Sequence, residues 1–304
     1  MTIDLSTYLS RIPQVRDADP ATCLRLGGLT NLNYLVQAGA DRYVVRVPGA
    51  GTSEYVNRIE EEVAARSAGD AGVNAEVIYF NSTDGLMMTR FVEGATTMSS
   101  ADFDDLTAVG RAGEVFRRLH DNAKPFASSF RLFDMIDGYK TLLASRRAVL
   151  PEGYDGVQRQ AESLRSTLAA HPVKLVASHC DPLCENFLDT GQRMFLIDYE
   201  YAGNNDPMWD LGDLSVEGGF TNEQDQALLT AYFGGQPPDA QVGRMVAYKA
   251  LCDLLWTLWG VIQHVNRNPA EDFWAYAIGR FTRCRSLLES RDFWATVAAA
   301  NRPR

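Results

Sequence analysis

Oxygen-bearing side chains follow two short apolar runs in the middle of the chain. The first run, 175–177, leads into Ser178-His179-Cys180-Asp181 and then Asn186; the second, 194–197, leads into Asp198-Tyr199-Glu200. Each run is too short for a helix and suits a buried strand. Carboxylates and a carboxamide just past the ends of two adjacent strands make an oxygen-rich pocket for a hard cation such as magnesium. The spacing His179-x-Asp181-x4-Asn186, followed by Asp198, fits phosphoryl transfer. Asp181 is placed to accept the proton of an attacking hydroxyl, and Asn186 and Asp198 to hold magnesium on phosphates. A bland reading makes Asp181 a loop cap, Asn186 a turn residue and Asp198 a strand-end carboxylate. The order of the residues behind two strand-like runs weighs against it. His179 is expected to buttress the loop.

Earlier elements supply candidate phosphate contacts. Residues 23–36 read as strand, turn, strand, with Gly27 and Gly28 freeing the backbone for close approach to a ligand and with Thr30 and Asn31 as donors to phosphate oxygens. An ordinary hairpin turn is the alternative. Residues 42–48 form the next strand, in which Arg46 interrupts Val44, Val45 and Val47. A buried cation needs a partner; phosphate and a helix carboxylate are both candidates, unless Arg46 faces solvent on a half-exposed strand. A helix over 55–69 carries Glu60, Glu61 and Glu62, of which Glu61 is the chosen partner. Gly49-Ala50-Gly51 lacks the third glycine of a dinucleotide motif, since Glu54 stands there. Strands at 76–80 and 86–92 flank a turn at 81–85, and Gly94 breaks the chain after them. The backbone near Thr89 and Phe91 is therefore placed in a hinge where it can pair with a nucleotide base.

The chain has 304 residues, is 46% hydrophobic and carries a net charge of −10. That balance disfavours nucleic acid or an anionic membrane as the main partner and tolerates a cationic substrate. Cys23, Cys180, Cys184, Cys252 and Cys284 are odd in number, form no C-x-x-C pair and fit reduced thiols in a cytoplasmic protein. The N-terminus shows no signal-peptide pattern, and the apolar run 254–262 is too short to span a bilayer. His120 closes a helical pattern that begins after Ser99 and is expected to be structural. Helices are expected at 133–150 and 157–168 and through most of the chain after 214. An α+β, bilobal architecture results: a small β-rich lobe over 1–92 and a larger helical lobe over 93–304. Oligomeric state is not legible.

Trp256 and Trp259 are three apart on a helical stretch and share a face. Two indoles side by side make a π-rich wall for a cation without N–H donors, such as a quaternary ammonium. Tyr201, Glu217 and Tyr276 are placed to complete the enclosure with ring faces and one carboxylate; a tryptophan pair in an ordinary core is the alternative.

Together these residues resemble the choline/ethanolamine kinase family, within the larger group that includes aminoglycoside phosphotransferases and the protein-kinase-like fold. The likeness spans nearly the whole chain. It rests on Gly27-Gly28-Leu29-Thr30-Asn31, on Arg46 in the third strand where protein kinases carry lysine, and on Asn57-Arg58-x-x-Glu61. It continues through the Asp181–Asn186 spacing, the segment 198–210 and Trp256-x-x-Trp259. The resemblance implies a bilobal kinase-like fold, ATP as donor, Mg2+ as metal and a small amino alcohol as acceptor. It assigns the base to Asp181, metal ligation to Asn186 and Asp198, and an amine pocket to Tyr201, Glu217, Trp256, Trp259 and Tyr276. The chain departs from eukaryotic members at Gly218, Gly219 and Asn222, where they carry bulky aromatics at two of these places. The looser cage leaves another acceptor (an aminoglycoside, a sugar or an amino-acid alcohol) and a non-catalytic ligand-binding module as rival readings.

Overall fold

The computed structural model describes residues 3–28, 31–49 and 56–300. Helix α1 (Leu5–Leu9), capped by the Asp4 carboxylate on the Ser6 amide, precedes a five-stranded antiparallel sheet. The sheet is built from β1 (Leu24–Arg25), β2 (Leu32–Ala38), β3 (Asp41–Val47), β4 (Val77–Asn81) and β5 (Leu86–Arg90), in the order β1-β2-β3-β5-β4. Helix α2 (Arg58–Asp70) is inserted between β3 and β4. Asn57 starts it by accepting from the amides of Ile59 and Glu60, so the described helix begins three residues later than the sequence reading placed it. Residue 55 lies outside the described residues, as do Thr30, Gly51 and Glu54.

The remainder is mainly helical: β6 (Thr96–Thr97), α3 (Leu106–Asn122), α4 (Leu132–Ser145), α5 (Tyr154–Ala170), β7 (Val176–Ser178), β8 (Phe187–Asp189), β9 (Met194–Leu196), β10 (Gly203–Asn205), then α6 (Pro207–Glu217), α7 (Asn222–Phe233), α8 (Asp239–Val265), α9 (Phe273–Leu288) and α10 (Arg291–Ala299). The two apolar runs around the candidate site are strands, but they do not pair with each other. β7 pairs with β10, whereas β9 closes a hairpin on β8, which pairs in turn with β6. A tight turn after β8 gives β9 the nearer partner, and the chain returns to β7 only after residue 198. The two runs are tied instead by side-chain and loop bonds described below.

Two apolar clusters form. The smaller joins α1 to one face of the sheet through Leu5, Leu9, Ile12, Val36, Val45, Leu86 and Met88. The larger fills the helical part and also takes Ala64, Ala65 and Ala68 of α2. Thus α2, although surrounded in sequence by sheet strands, packs on the helical core. The 3.6-residue apolar pattern of α3 buries Val109, Ala112, Val115, Phe116 and Leu119 in that core. Helix α8 is, by length and composition alone, long and apolar enough to cross a membrane. Some 83% of its most apolar 18 residues are buried inside the protein, which makes it a core helix.

Helices α3 and α7 approach so closely that a methyl group at Gly113 would lie 2.5 Å from the Leu228 carbonyl oxygen and 3.1 Å from the Tyr232 amide nitrogen. Both are backbone atoms that cannot rotate away. Gly113→Ala is expected to lower stability by about 1–3 kcal/mol, read as a fall in the thermal midpoint; an unchanged midpoint would show that the helices can slide apart without penalty.

Candidate active site

The loop after β7 is held by one buried carboxylate. Asp210, fully buried on α6, accepts from the amides of His179 and Cys180, both at 2.8 Å. Its Oδ2 also contacts His120 Nε2 at 3.0 Å, and His120 Nδ1 lies 2.9 Å from the Tyr232 hydroxyl. His120 is therefore structural, as its place near a helix end suggested. Two amide bonds pin Cys180 in the left-handed region, φ 69°, a conformation unusual for a side-chain-bearing residue. The next residue is Asp181. Trp209 Nε1 donates to the Cys180 carbonyl at 3.2 Å, closing the support from below.

His179 buttresses the same loop. Its Nε2 bonds the Ile197 carbonyl at 2.8 Å, and its ring meets Tyr199 edge-on at 4.8 Å. Burial pushes its pKa down, which keeps the imidazole neutral and suits a structural donor. The Asn186 carbonyl accepts from the Ile197 amide at 2.9 Å, and Asn186 Nδ2 donates to the Asp181 carbonyl at 3.1 Å. These bonds bring Asp181, which follows β7, together with Asn186 and Asp198, which flank β8 and β9 of a different sheet. The Asn186 amide N–H is engaged inward, leaving its side-chain oxygen without a donor among the described residues. Asp198 sits at φ 71°. The oxygens of Asn186 and Asp198 are hard donors of the kind that magnesium takes.

A network of two arginines and three carboxylates joins β3 and α2 to the segment after β9. Arg46 is 4% exposed, so the solvent-facing alternative fails. It pairs with Glu61, the carboxylate chosen from the acidic run. Its Nη1 also lies 3.1 Å from Asp198 and 3.7 Å from Glu200. Arg58 Nη1 bridges Glu61 at 2.6 Å and Glu200 at 2.7 Å. Asn31 is buried; its Nδ2 donates to Glu200 at 3.0 Å and its Oδ1 accepts from the Gly49 amide at 3.3 Å. Expected as a donor to phosphate, it ties the Gly49 amide to Glu200 in this structure. Gly28 has φ 144°, and a Cβ there would come within 2.6 Å of the Asn31 carbonyl oxygen, so this turn requires glycine. Gly27 has open space around it. Thr89 lies in β5 and is buried; the Phe91 amide just beyond donates to the Arg42 carbonyl at 3.0 Å. Any base pairing by Phe91 therefore falls to its carbonyl.

The four aromatic residues also come together. Tyr201 meets Trp256 at 6.0 Å between ring centroids, Trp256 meets Trp259 at 6.0 Å, and Trp259 meets Tyr276 at 5.8 Å. Phe273, three residues before Tyr276, extends the wall at 5.5 Å from Trp259; helical spacing could have found it. Glu217 is not the lone carboxylate expected. Arg280 takes both of its oxygens, at 2.5 and 2.8 Å, and stacks 5.0 Å over the Tyr276 ring. Arg280 also reaches Asp253 at 3.4 Å, which Arg283 holds at 2.6 Å. Arg280 stands four residues after Tyr276, a spacing that puts both on one helix face.

Among the described residues no donor is bonded to the Asp181 carboxylate. Burial, then the charges of Glu217 and Asp198, pushes its pKa up to about 8. Asp198 shifts in the same direction through burial and then Glu200. Asp181 thus lies within electrostatic reach of both clusters.

Comparison with known proteins agrees with this geometry. Residues 22–246 match the model of the phosphotransferase enzyme family. The structure superposes on a choline/ethanolamine kinase family protein from Mesorhizobium loti with a TM-score of 0.91, at 50% identity over 98% of each chain. The chain belongs to the choline/ethanolamine kinase family. The kinase is also similar to the choline kinase LicA of Streptococcus pneumoniae, at 30% identity over 88% of this chain and 92% of that one, TM-score 0.73. LicA has also been solved in complex with AMP. Protein LicA of Haemophilus influenzae is 28% identical over 86% of this kinase and 99% of its own length.

The raised carboxyl pKa values fix the sign of a pH effect. Native Asp181 binds its proton more tightly than the unfolded chain does. Between the ordinary carboxylate range and about pH 8 the native state therefore holds more protons, and stability falls as pH rises. The ligand-free kinase is expected to melt at a higher temperature at pH 6 than at pH 8. Asp181→Asn should flatten that slope and gain on the order of 1–3 kcal/mol at pH 8. A wild-type slope that the variant keeps unchanged would contradict the assignment.

Proposed function

We propose that this kinase transfers the γ-phosphoryl group of ATP to the hydroxyl of choline, ethanolamine or a similar amino alcohol. The observation that carries the reading is the position of the Asp181 carboxylate. It has no donor of its own among the described residues. The charges of Asp198 and Glu200 in the ion network act on it, and so do those of Glu217 and Arg280 next to the aromatic residues. ATP binding is supported by the AMP complex of LicA, and the acceptor class by the names of its relatives.

An alcohol bound against the aromatic wall presents its O–H to Asp181. The carboxylate accepts that hydrogen bond and takes the proton as the oxygen attacks the γ-phosphorus, whose bond to the β–γ bridging oxygen breaks and releases ADP. A carboxyl raised toward neutrality is a stronger base than an ordinary one. Magnesium, held by Asn186 and Asp198, would neutralise charge on the phosphates. Arg46, fixed by Glu61, keeps Asp198 in place and brings positive charge to the phosphate side. Gly27, Gly28 and Asn31 line the same approach, and the nucleotide is assigned to the cleft between residues 1–92 and 93–304. The ring faces of Tyr201, Trp256, Trp259 and Tyr276 hold the ammonium by cation–π attraction. Little covalent chemistry is asked of the protein; position and charge do most of the work. The five unpaired cysteines support a cytoplasmic setting.

An acceptor panel with ATP and magnesium tests the reading: choline, ethanolamine, an aminoglycoside, a sugar and an amino-acid alcohol. Saturable turnover of an amino alcohol is expected. Trp256→Ala or Trp259→Ala should raise its KM roughly 3- to 30-fold. Asp181→Asn should lower kcat about 10²- to 10⁴-fold. Preference for a polyhydroxylated acceptor, or full activity of Asp181→Asn, would overturn it.

A further inference from the structure

We infer that Asn31 serves nucleotide binding as a positioning residue: it ties the glycine turn and the exit of β3 to Glu200, and does not itself hold phosphate. The inference rests on the ATP-donor part of the proposed function. Of the residues at the nucleotide approach, Asn31 is the one that acts at one remove.

Asn31 is 3% exposed, so almost none of its surface is left for a ligand. Both ends of its carboxamide are engaged. Nδ2 donates to Glu200 Oε1 at 3.0 Å, and Oδ1 accepts from the Gly49 amide at 3.3 Å. Asn31 stands just before β2 and Gly49 just after β3, at the end of the pair where Leu32 faces Val47. Its main chain abuts the glycine turn: a Cβ at Gly28 would lie 2.6 Å from the Asn31 carbonyl oxygen and 2.8 Å from Asn33 Nδ2. Asn33 Nδ2 in turn donates to the Gly27 carbonyl at 2.8 Å. A displacement of Asn31 therefore moves both glycines and the exit of β3.

Glu200 is the fixed point. Arg58 Nη1 holds its Oε1 at 2.7 Å, and Arg46 Nη1 lies 3.7 Å from the same oxygen. Two residues earlier, Asp198 meets Arg46 Nη1 at 3.1 Å. A carboxamide suits the bridge because it gives a donor to Glu200 and an acceptor to Gly49 at once; an ionised carboxylate can only accept. A glycine turn has little stiffness of its own. Its distance from the Asp198 side is therefore set by the bond from Asn31 to a charged partner, a strong class of hydrogen bond.

The dissociation constant of ADP, without metal, is measured for wild type, Asn31→Ala, Glu200→Met and the double variant, at a temperature where each is folded. Asn31→Ala is expected to weaken ADP roughly 3- to 30-fold. Glu200→Met removes the carboxylate at nearly equal length. On that background Asn31→Ala should cost less than about two-fold, because the bridge is already gone. Should Glu200→Met fail to fold, Glu200→Gln is the second background, and the loss should again shrink. A merely structural role for Asn31 would lower the melting temperature and leave ADP affinity unchanged, which overturns the inference. An equal fold-loss on both backgrounds also overturns it, since Asn31 would then hold phosphate itself. Absence of ADP binding by wild type would instead sink the ATP-donor reading.

Discussion

Asp210 is the constraint on which the site depends. A fully buried carboxylate takes two consecutive amides, His179 and Cys180, and a histidine ring from another helix. A buried carboxylate is unfavourable unless fully hydrogen-bonded, so the loop and α6 specify each other. Release of the loop would strand the charge, and release of the charge would let Cys180 leave its left-handed conformation. Because α6 also carries Glu217, the helix that shapes the Asp181 loop also reaches Arg280, which stacks over Tyr276. Asp206 at its start anchors it to α8 by accepting from Arg244 Nε at 2.8 Å and the Tyr248 hydroxyl at 3.0 Å. The loop that carries Asp181 and the helix end that carries Glu217 are thus set by one unit.

The second constraint is the ion network across the cleft. Arg46 and Arg58 are shared among Glu61, Asp198 and Glu200. Buried ion pairs add little net stability compared with apolar packing, but loss of one member leaves an uncompensated charge. Their value here is registry. They join β3, α2 and the segment after β9, so that the glycine loop, through Asn31, is referenced to Glu200. Two guanidinium groups face three carboxylates there, so the network carries no positive excess of its own.

Much of this was legible in the sequence because local chemistry and spacing carried it. Arg46 in an apolar strand demanded a buried partner, and Glu61 at the fourth position of α2 supplied it. Trp256 and Trp259 met because helical spacing makes them neighbours. Three things were not legible. Strand pairing was misplaced because two short apolar runs carry no register information; β7 found β10, and β9 found β8. The partner of Glu217 was missed because Arg280 lies 63 positions away, on a helix whose rotation about its axis is set only by packing. Asp210 was visible within a motif, yet its task of holding two amides on a distant loop cannot be read from residue type.

The proposal gives Asp181 the role of base, the Arg46–Glu61–Asp198 network the phosphate side, and the packed rings of Tyr201, Trp256, Trp259 and Tyr276 the acceptor side. The most direct measurement is a crystal structure of the kinase with magnesium, a non-hydrolysable ATP analogue and ethanolamine. The account predicts metal on Asn186 and Asp198, the ammonium against Trp256 and Trp259, and the acceptor hydroxyl hydrogen-bonded to the Asp181 carboxylate. An acceptor bound elsewhere, or a hydroxyl turned away from Asp181 toward solvent, would contradict it.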